Sequence, residues 1–164
     1  MKSAALAALS VVLGANLTFA AEPLRPDGPD DAMLRPVQEL VSFMITLDAA
    51  HLQRSFASTG VTVMENFAPY LFAGAGARRN WEQGFRRHAA DGQLSELAAD
   101  LGKATTFERH KDRVYFSLPT TWTGKSKGQK FIEHGAWAFV LTSTRDGWRI
   151  RNYSWAVTEI ALAD

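Results

Sequence analysis

One glutamate stands in an otherwise apolar stretch that could form a strand. Glu65 lies in VTVMENF, residues 61–67. If its side chain faces an apolar interior, loss of hydration raises the pKa of the carboxyl group and suits it to act as a general base. If the stretch is an edge strand with Glu65 towards solvent, the residue has no such role. The sequence leaves both interpretations open.

A histidine is the second candidate for proton transfer. His134 follows Glu133 in a long predicted strand, where it could be a base in a pocket or an ordinary strand residue. Tyr70 and Asn152 are polar side chains that could assist Glu65. We therefore predict Glu65 and His134 as the catalytic candidates.

The remaining motifs do not indicate a cofactor or a metal. GKSKG, residues 124–128, matches the G-x-S-x-G pattern of a hydrolase serine, but a strand follows where that pattern needs a helix. GAGARR, residues 74–79, half matches a dinucleotide-binding pattern but lacks its third glycine and a parallel β-α-β unit. The four histidines show no metal-ligand spacing, and the chain has no cysteine. We predict no metal and no cofactor.

Aromatic residues are numerous enough to line a pocket as well as to fill a core, because they make up 11% of the chain. Such side chains surround an apolar cavity where helices and a curved sheet do not close completely. The predicted pocket set joins aromatic residues to one amide: Tyr70, Trp81, Trp122, Trp137, Trp148 and Asn152.

The first twenty residues are typical of a secretory signal peptide. Lys2 precedes an apolar run from Ala4 to Leu13, and Thr18 and Ala20 are the small residues expected before cleavage at Ala20/Ala21. The run is shorter than the roughly 20 residues that span a membrane. We expect no stable membrane anchor, and we expect the mature protein in the periplasm or secreted.

The mature chain is expected to be electrically balanced. One of the 18 basic residues lies in the predicted signal peptide, which leaves 17 basic against 17 acidic residues. This balance argues against nucleic acid as a partner. Residues 21–33, rich in Pro, Asp and Gly, predict a flexible lead-in, and residues 34–160 are long enough for a single domain.

Helices are predicted in the first half of the domain. Apolar residues recur at three- and four-residue spacing from Val37 to Leu47, with Asp30 or Asp31 as a cap, and a shorter helical piece follows Asp48. Another helix after Gly76 would place three side chains on one face: Trp81, Phe85 and His88.

Strands are predicted in the second half. After Gly102, alternation with period two predicts a four-strand antiparallel meander, and two short strands are predicted on either side of Pro69. Residues 93–101 could be a helical turn or a strand. In the last strand, uninterrupted alternation places Trp148 and Ile150 on one face. The opposite face would then carry Arg149, Arg151, Tyr153 and Trp155. Helices that cover one face of a sheet make an α+β fold.

The order of these elements resembles the nuclear transport factor 2-like superfamily, in particular its SnoaL-like bacterial members. The resemblance covers roughly residues 36–158, and its most specific part is the pattern G-x-W-x-x-x-L…D-G-W-R-I, from Gly135 to Ile150. It implies a cone-shaped fold with N-terminal helices packed on a strongly curved antiparallel sheet. It also implies a homodimer, since members of this superfamily often associate through the sheet.

Ketosteroid isomerase-like enzymes of this superfamily carry a carboxylate base that the resemblance places at Glu65. Their enolate-binding tyrosine would fall near Leu40, which cannot donate a hydrogen bond, and no second acid is found around Ala136 and Trp137. Without such donors the main electrostatic contribution to that reaction is missing. The resemblance therefore implies the fold and a pocket, and argues against that particular isomerase.

Three functions follow as hypotheses. The first is an exported domain that binds a small apolar or aromatic molecule in an aromatic pocket. The second is a cofactor-free lyase or isomerase with Glu65 as general base. The third is a homodimeric interaction module, whose arginine and aromatic residues are typical of interface anchors. The predicted interface residues are Arg149, Arg151, Tyr153 and Trp155.

Overall fold

The computed structural model describes residues 28–163, so the predicted signal peptide and most of the predicted lead-in lie outside the described residues. The helices are α1 (Asp31–Thr46), α2 (Ala50–Ser55) and α3 (Ala77–Asp91). The strands are β1 (Thr62–Met64), β2 (Leu71–Phe72), β3 (Ser95–Leu101), β4 (Thr106–His110), β5 (Arg113–Ser126), β6 (Gln129–Thr144) and β7 (Gly147–Ala163).

All of these strands belong to one curved, unclosed sheet. Its order is β2-β1-β7-β6-β5-β3, and β4 pairs with the same strand, β5, as β3 does. The predicted meander is present as β4 to β7, and residues 95–101 form a strand rather than a helical turn. The sheet is mixed rather than wholly antiparallel, because β1 runs parallel to β7. The domain is therefore α+β, as predicted.

Helix α1 is defined at its start by a side-chain cap. The carboxylate of Asp30 accepts a hydrogen bond from the backbone N–H of Met33 at 2.9 Å, which satisfies one of the free donors of the first turn. The helix thus begins at Asp31, inside the stretch predicted as a lead-in. Its buried face carries the apolar residues of the predicted pattern, among them Val37 and Leu40, both fully buried.

Two irregularities in β7 decide which of its side chains face the core. The pairing with β6 skips Arg151 and, further along, Thr158. An extra residue of this kind is a β-bulge, and it reverses the alternation of side chains beyond it. As a result Tyr153 and Trp155 face the core, with 2% and 8% of their surface exposed. The predicted outward orientation of these two residues is wrong, because it assumed uninterrupted alternation.

Helix α3 packs beside β1 and β2 and turns an apolar face towards the core. Gly76, with a φ of 83°, ends the preceding turn and starts the helix, and Trp81 and Phe85 are buried at 0% and 4% exposure. The predicted apolar face of this helix is confirmed. Trp81 contacts Phe43 of α1, with 5.5 Å between the ring centroids, so the aromatic core connects both helices.

Candidate functional site

A cavity of about 300 Å³ lies between α3 and the inner face of β5, β6 and β7. Six aromatic rings contribute to its wall: Phe67, Phe85, Trp122, Phe131, Trp137 and Trp155. Five polar residues also line it: Glu65, Asn66, His88, Ser126 and Glu133. Ile160 and Leu162, beyond the second bulge of β7, reach its rim and are more than half exposed. A mostly apolar cavity with a few polar groups is typical of a small-molecule site.

Glu65 is held at this cavity by the end of β1. Val63 is buried, Met64 is exposed, and Glu65 continues the alternation into the interior, where 7% of its surface remains exposed. Its Oε1 accepts a hydrogen bond from the indole N–H of Trp81 at 3.0 Å and a short one from the hydroxyl of Tyr153. These donors fix the position of the carboxyl group.

The environment of Glu65 makes its proton available near neutral pH. Burial raises the pKa of this carboxyl group from 4.5 to about 7, and the negative charge of Glu133 adds to the rise. The hydrogen bonds from Tyr153 and Trp81 act in the opposite direction, because they stabilise the ionised form. Burial and the neighbouring Glu65 in turn hold the pKa of the Tyr153 hydroxyl well above its ordinary value. At neutral pH, a carboxyl group with the pKa of Glu65 can both accept and return a proton.

Glu133 supplies a second carboxyl group to the cavity. It lies on the face of β6 that also carries Gly135 and Trp137, and its Oε1 accepts a hydrogen bond from the indole N–H of Trp155 at 2.8 Å. That contact leaves the other oxygen, Oε2, available to a bound molecule. Burial also raises the pKa of Glu133, while the Trp155 hydrogen bond lowers it.

The position of Trp155 depends on the glycine opposite it. A Cβ atom on Gly135 would lie 2.5 Å from the Trp155 ring, so only glycine leaves room for this ring on the surface of β6. The ring meets Trp137 edge to face, with 5.7 Å between centroids. This close approach lets the Trp155 indole reach Glu133.

Trp137 lies at the centre of the aromatic wall with an unused donor. Its ring stacks on Tyr153 at 5.6 Å, and 1% of its surface is exposed. Its Nε1 is buried and has no acceptor among residues 28–162. A buried donor without an acceptor costs free energy.

His88 completes the polar lining on the α3 side. Its ring stacks on Phe67, with 4.7 Å between centroids and 14° between planes. Burial lowers its pKa, and the charge of Asp91 partly offsets this effect. Burial of His88 therefore favours its uncharged form. The sequence predicted its place on the inner face of α3 but gave it no functional role.

The predicted catalytic partners of Glu65 are not at the cavity. His134 is exposed on the outer face of β6, where its Nδ1 forms a hydrogen bond with Thr121 Oγ1 at 3.0 Å. Tyr70 lies in the turn between β1 and β2 with 62% of its surface exposed. Asn152 follows the first bulge and points away from the core, half-buried. His134 as a pocket base, and Tyr70 and Asn152 as pocket residues, are therefore corrected.

The predicted aromatic pocket set is divided by the structure. Trp122 and Trp137 line the cavity, whereas Trp81 lies behind it as a donor to Glu65. Trp148 is half-buried near the turn between β6 and β7, where the guanidinium of Arg109 stands 5.6 Å from its ring. It does not reach the cavity, because it lies at the far end of the strand.

The predicted interface set is divided as well. Tyr153 and Trp155 are buried within the chain and cannot anchor a partner. Arg149 and Arg151 are half-buried on the outer side of β7. The guanidinium of Arg151 packs closely over Gly60, where an added Cβ would lie 2.4 Å from its Nη2.

Glu133 is one of the cavity residues to which the sequence analysis gave no role. Trp137 was correctly expected to face inward, and counting back four residues along a strand with period two leads to Glu133. The same count places His134 outside. The signal was present in the alternation of β6 itself.

The other motifs have structural roles. Ser126 ends β5 at a tight turn, and its hydroxyl donates to the carbonyl of Gly92 at 3.1 Å, so GKSKG is a hairpin, as interpreted. Within residues 28–162, no group of three or more His, Cys, Asp or Glu side chains could hold a metal ion. Among the helices of the described part of the chain, none has the length and apolar character needed to cross a membrane.

No protein-family model matches the sequence, and no curated protein matches it significantly. Solved structures do match. Hexachlorocyclohexane dehydrochlorinase LinA-type3 from Novosphingobium barchaimii is 7% identical with a TM-score of 0.66, over 80% of this chain and 88% of that chain. A scytalone dehydratase-like protein from Novosphingobium aromaticivorans is 9% identical with a TM-score of 0.64, over 81% of this chain and 86% of that chain.

A third similar structure is a ketosteroid isomerase-like protein from Shewanella frigidimarina. It is 16% identical with a TM-score of 0.60, over 77% of this chain and 96% of that chain. At identities this low the likeness shows the fold alone. The shared fold is that of nuclear transport factor 2-like proteins.

Proposed function

We propose that this chain, which has the nuclear transport factor 2-like fold, binds a small and largely apolar molecule in the cavity beside Glu65 and Glu133. The observation that carries the proposal is the cavity of about 300 Å³ with a predominantly aromatic wall. Apolar surface that enters such a cavity leaves water, at about 25 cal/mol per Å². Proteins with this fold include enzymes and ligand binders that act on small molecules, which agrees with the proposal.

Tryptophan fluorescence tests the proposal directly. Trp122 lines the cavity and Trp148 lies outside it. Titration with small aromatic and alicyclic compounds is expected to change the emission and to raise the melting temperature. Trp122→Phe should reduce the change in emission, whereas Trp148→Phe should preserve it. A library that alters neither emission nor melting temperature would count against a binding site here.

A second candidate function is proton transfer on the bound molecule, as in a cofactor-free lyase or isomerase. The observation in its favour is a carboxyl group at the cavity wall, Glu65, whose pKa of about 7 is matched to neutral conditions. Glu133, and not His134, is the second titratable group in this candidate function, because Glu133 lines the cavity.

Hydrogen–deuterium exchange separates this candidate from binding alone. A ketone that binds in the cavity is incubated with the protein in D₂O, and exchange beside its carbonyl is followed by NMR. Catalysed exchange should disappear in Glu65→Gln while binding persists, because glutamine keeps the shape but cannot accept the proton. Equal exchange in the two proteins would leave Glu65 without a catalytic role.

Export and self-association are separate proposals. We propose that residues 1–20 are removed on export to the periplasm or beyond, which N-terminal sequencing of the mature protein tests by finding Ala21 first. We also propose a homodimer, in line with the resemblance to dimeric members of the superfamily. Light scattering that gives a monomer at micromolar concentration would contradict it.

A further inference from the structure

In the described part of the chain, the cavity wall contains acidic residues but no lysine or arginine. Glu65 and Glu133 are the acidic residues among the lining residues, and none of the described lining residues is lysine or arginine. Lys125, at the same end of β5, is paired with Glu96 outside the cavity, with 2.6 Å between Nζ and Oε1. No lysine or arginine of the described wall therefore balances either carboxyl group when it is ionised.

The rest of the wall also favours a positive charge. The faces of aromatic rings carry partial negative charge, and Trp122, Trp137 and Trp155 line the same cavity as the two carboxyl groups. Indole faces bind cations better than other aromatic side chains do. The indole N–H of Trp155 already occupies Oε1 of Glu133, so Oε2 is the free acceptor that a ligand can meet.

We infer that the molecule bound in this cavity is an organic cation, with an apolar, ring-sized body and a protonated amine that pairs with Glu133 and Glu65. The inference rests on the proposed binding function and names its ligand class. The amine donates to the free oxygen of Glu133, the aromatic wall encloses the body, and carboxylate ligands are repelled. Charge-assisted hydrogen bonds of this kind are stronger than neutral ones.

Three compounds of nearly equal size test the inference by calorimetry: phenethylamine, propylbenzene and hydrocinnamate. They share a phenyl ring and a two-carbon chain and differ in ending as a cation, a methyl group or an anion. Phenethylamine should bind about tenfold or more tightly than propylbenzene, and hydrocinnamate should bind more weakly than either.

Matched glutamine variants assign the preference to the cavity. Glu133→Gln keeps an acceptor for Trp155 and should cost phenethylamine about tenfold or more in affinity while it leaves propylbenzene unchanged. Glu65→Gln is the second variant, with the same expected direction. Glu108→Gln removes an exposed carboxylate of β4 and should change neither compound. Circular dichroism confirms that each variant is folded.

The outcomes separate this inference from the proposal beneath it. If propylbenzene or hydrocinnamate binds as tightly as the amine, or if neither cavity variant weakens amine binding, the cationic class is refuted and a binding cavity remains. If none of the three compounds binds, the proposed binding function fails together with the inference. A preference for the amine that Glu133→Gln abolishes supports both.

Discussion

Replacing Glu65 with glutamine removes the group whose ionisation the folded chain opposes. The carboxyl group is 7% exposed and accepts hydrogen bonds from Trp81 and Tyr153. The amide oxygen of glutamine can accept the same two bonds, and the amide carries no charge at any pH. The variant therefore isolates the effect of ionisation on stability.

The magnitude follows from the pKa of Glu65. In the unfolded chain the group releases its proton near pH 4.5, whereas burial and the charge of Glu133 hold the proton in the folded chain up to about pH 7. The stability that the protonated group contributes is complete below pH 4.5 and is lost as the pH rises through about 7. Since each tenfold change in proton affinity corresponds to about 1.4 kcal/mol, the loss is about 3 kcal/mol.

Urea unfolding followed by tryptophan fluorescence measures this loss. Across the range from pH 4.5 to above 7, the free energy of unfolding of Glu65→Gln should rise relative to the native sequence by about 3 kcal/mol. The exposed Glu108→Gln variant serves as the control and should show no such divergence. A difference between Glu65→Gln and the native sequence that stays constant over this range would refute the assignment of a raised pKa to Glu65.

Two further substitutions test the contacts around the cavity. Gly135→Ala should lower the free energy of unfolding by about 1–3 kcal/mol, because its Cβ would lie 2.5 Å from the Trp155 ring. Gly28→Ala, with nothing within 4 Å, is the control, and equal stability of both variants would contradict the close approach. Tyr153→Phe removes a donor that lowers the pKa of Glu65, so this pKa should rise further. NMR titration of the carboxyl carbon measures it, and an unchanged value would exclude the hydrogen bond.

The helices and the main strands could be predicted because their signals are local. The spacing from Val37 to Leu47 and the Asp30 cap lie within a few residues of each other along the chain. The alternation of β6 is regular from Gly135 to Thr142, so the inner and outer faces of this part of the strand follow from its sequence. The bulge at Arg151 depends on how β7 pairs with β6 and not on its own sequence. Local alternation could not reveal it.

The candidate site was predictable only in part for the same reason. Glu65 was identified as the polar residue of an apolar strand, but its direction depends on the pairing of β1 with β7. His134 was named as the candidate base of this strand, although β6 directs Glu133 inward and leaves His134 exposed. Tyr70 was expected at a pocket because of its type, and the turn that carries it lies at the surface.

The bulge at Arg151 decides which face of the sheet the following side chains of β7 occupy. If β7 paired with β6 without skipping Arg151, regular alternation would turn Tyr153 outward and with it Trp155. The cavity would then lose the hydrogen bonds that Tyr153 donates to Glu65 and Trp155 donates to Glu133. The outer face of the sheet would gain two large aromatic side chains. A shift of one residue in the pairing of β7 with β6 thus distinguishes a sheet with an inner aromatic cavity from a sheet with an exposed aromatic outer face. Deletion of Arg151 itself would keep both rings inside, because Asn152 would then follow Ile150 in the pairing with β6 that already exists.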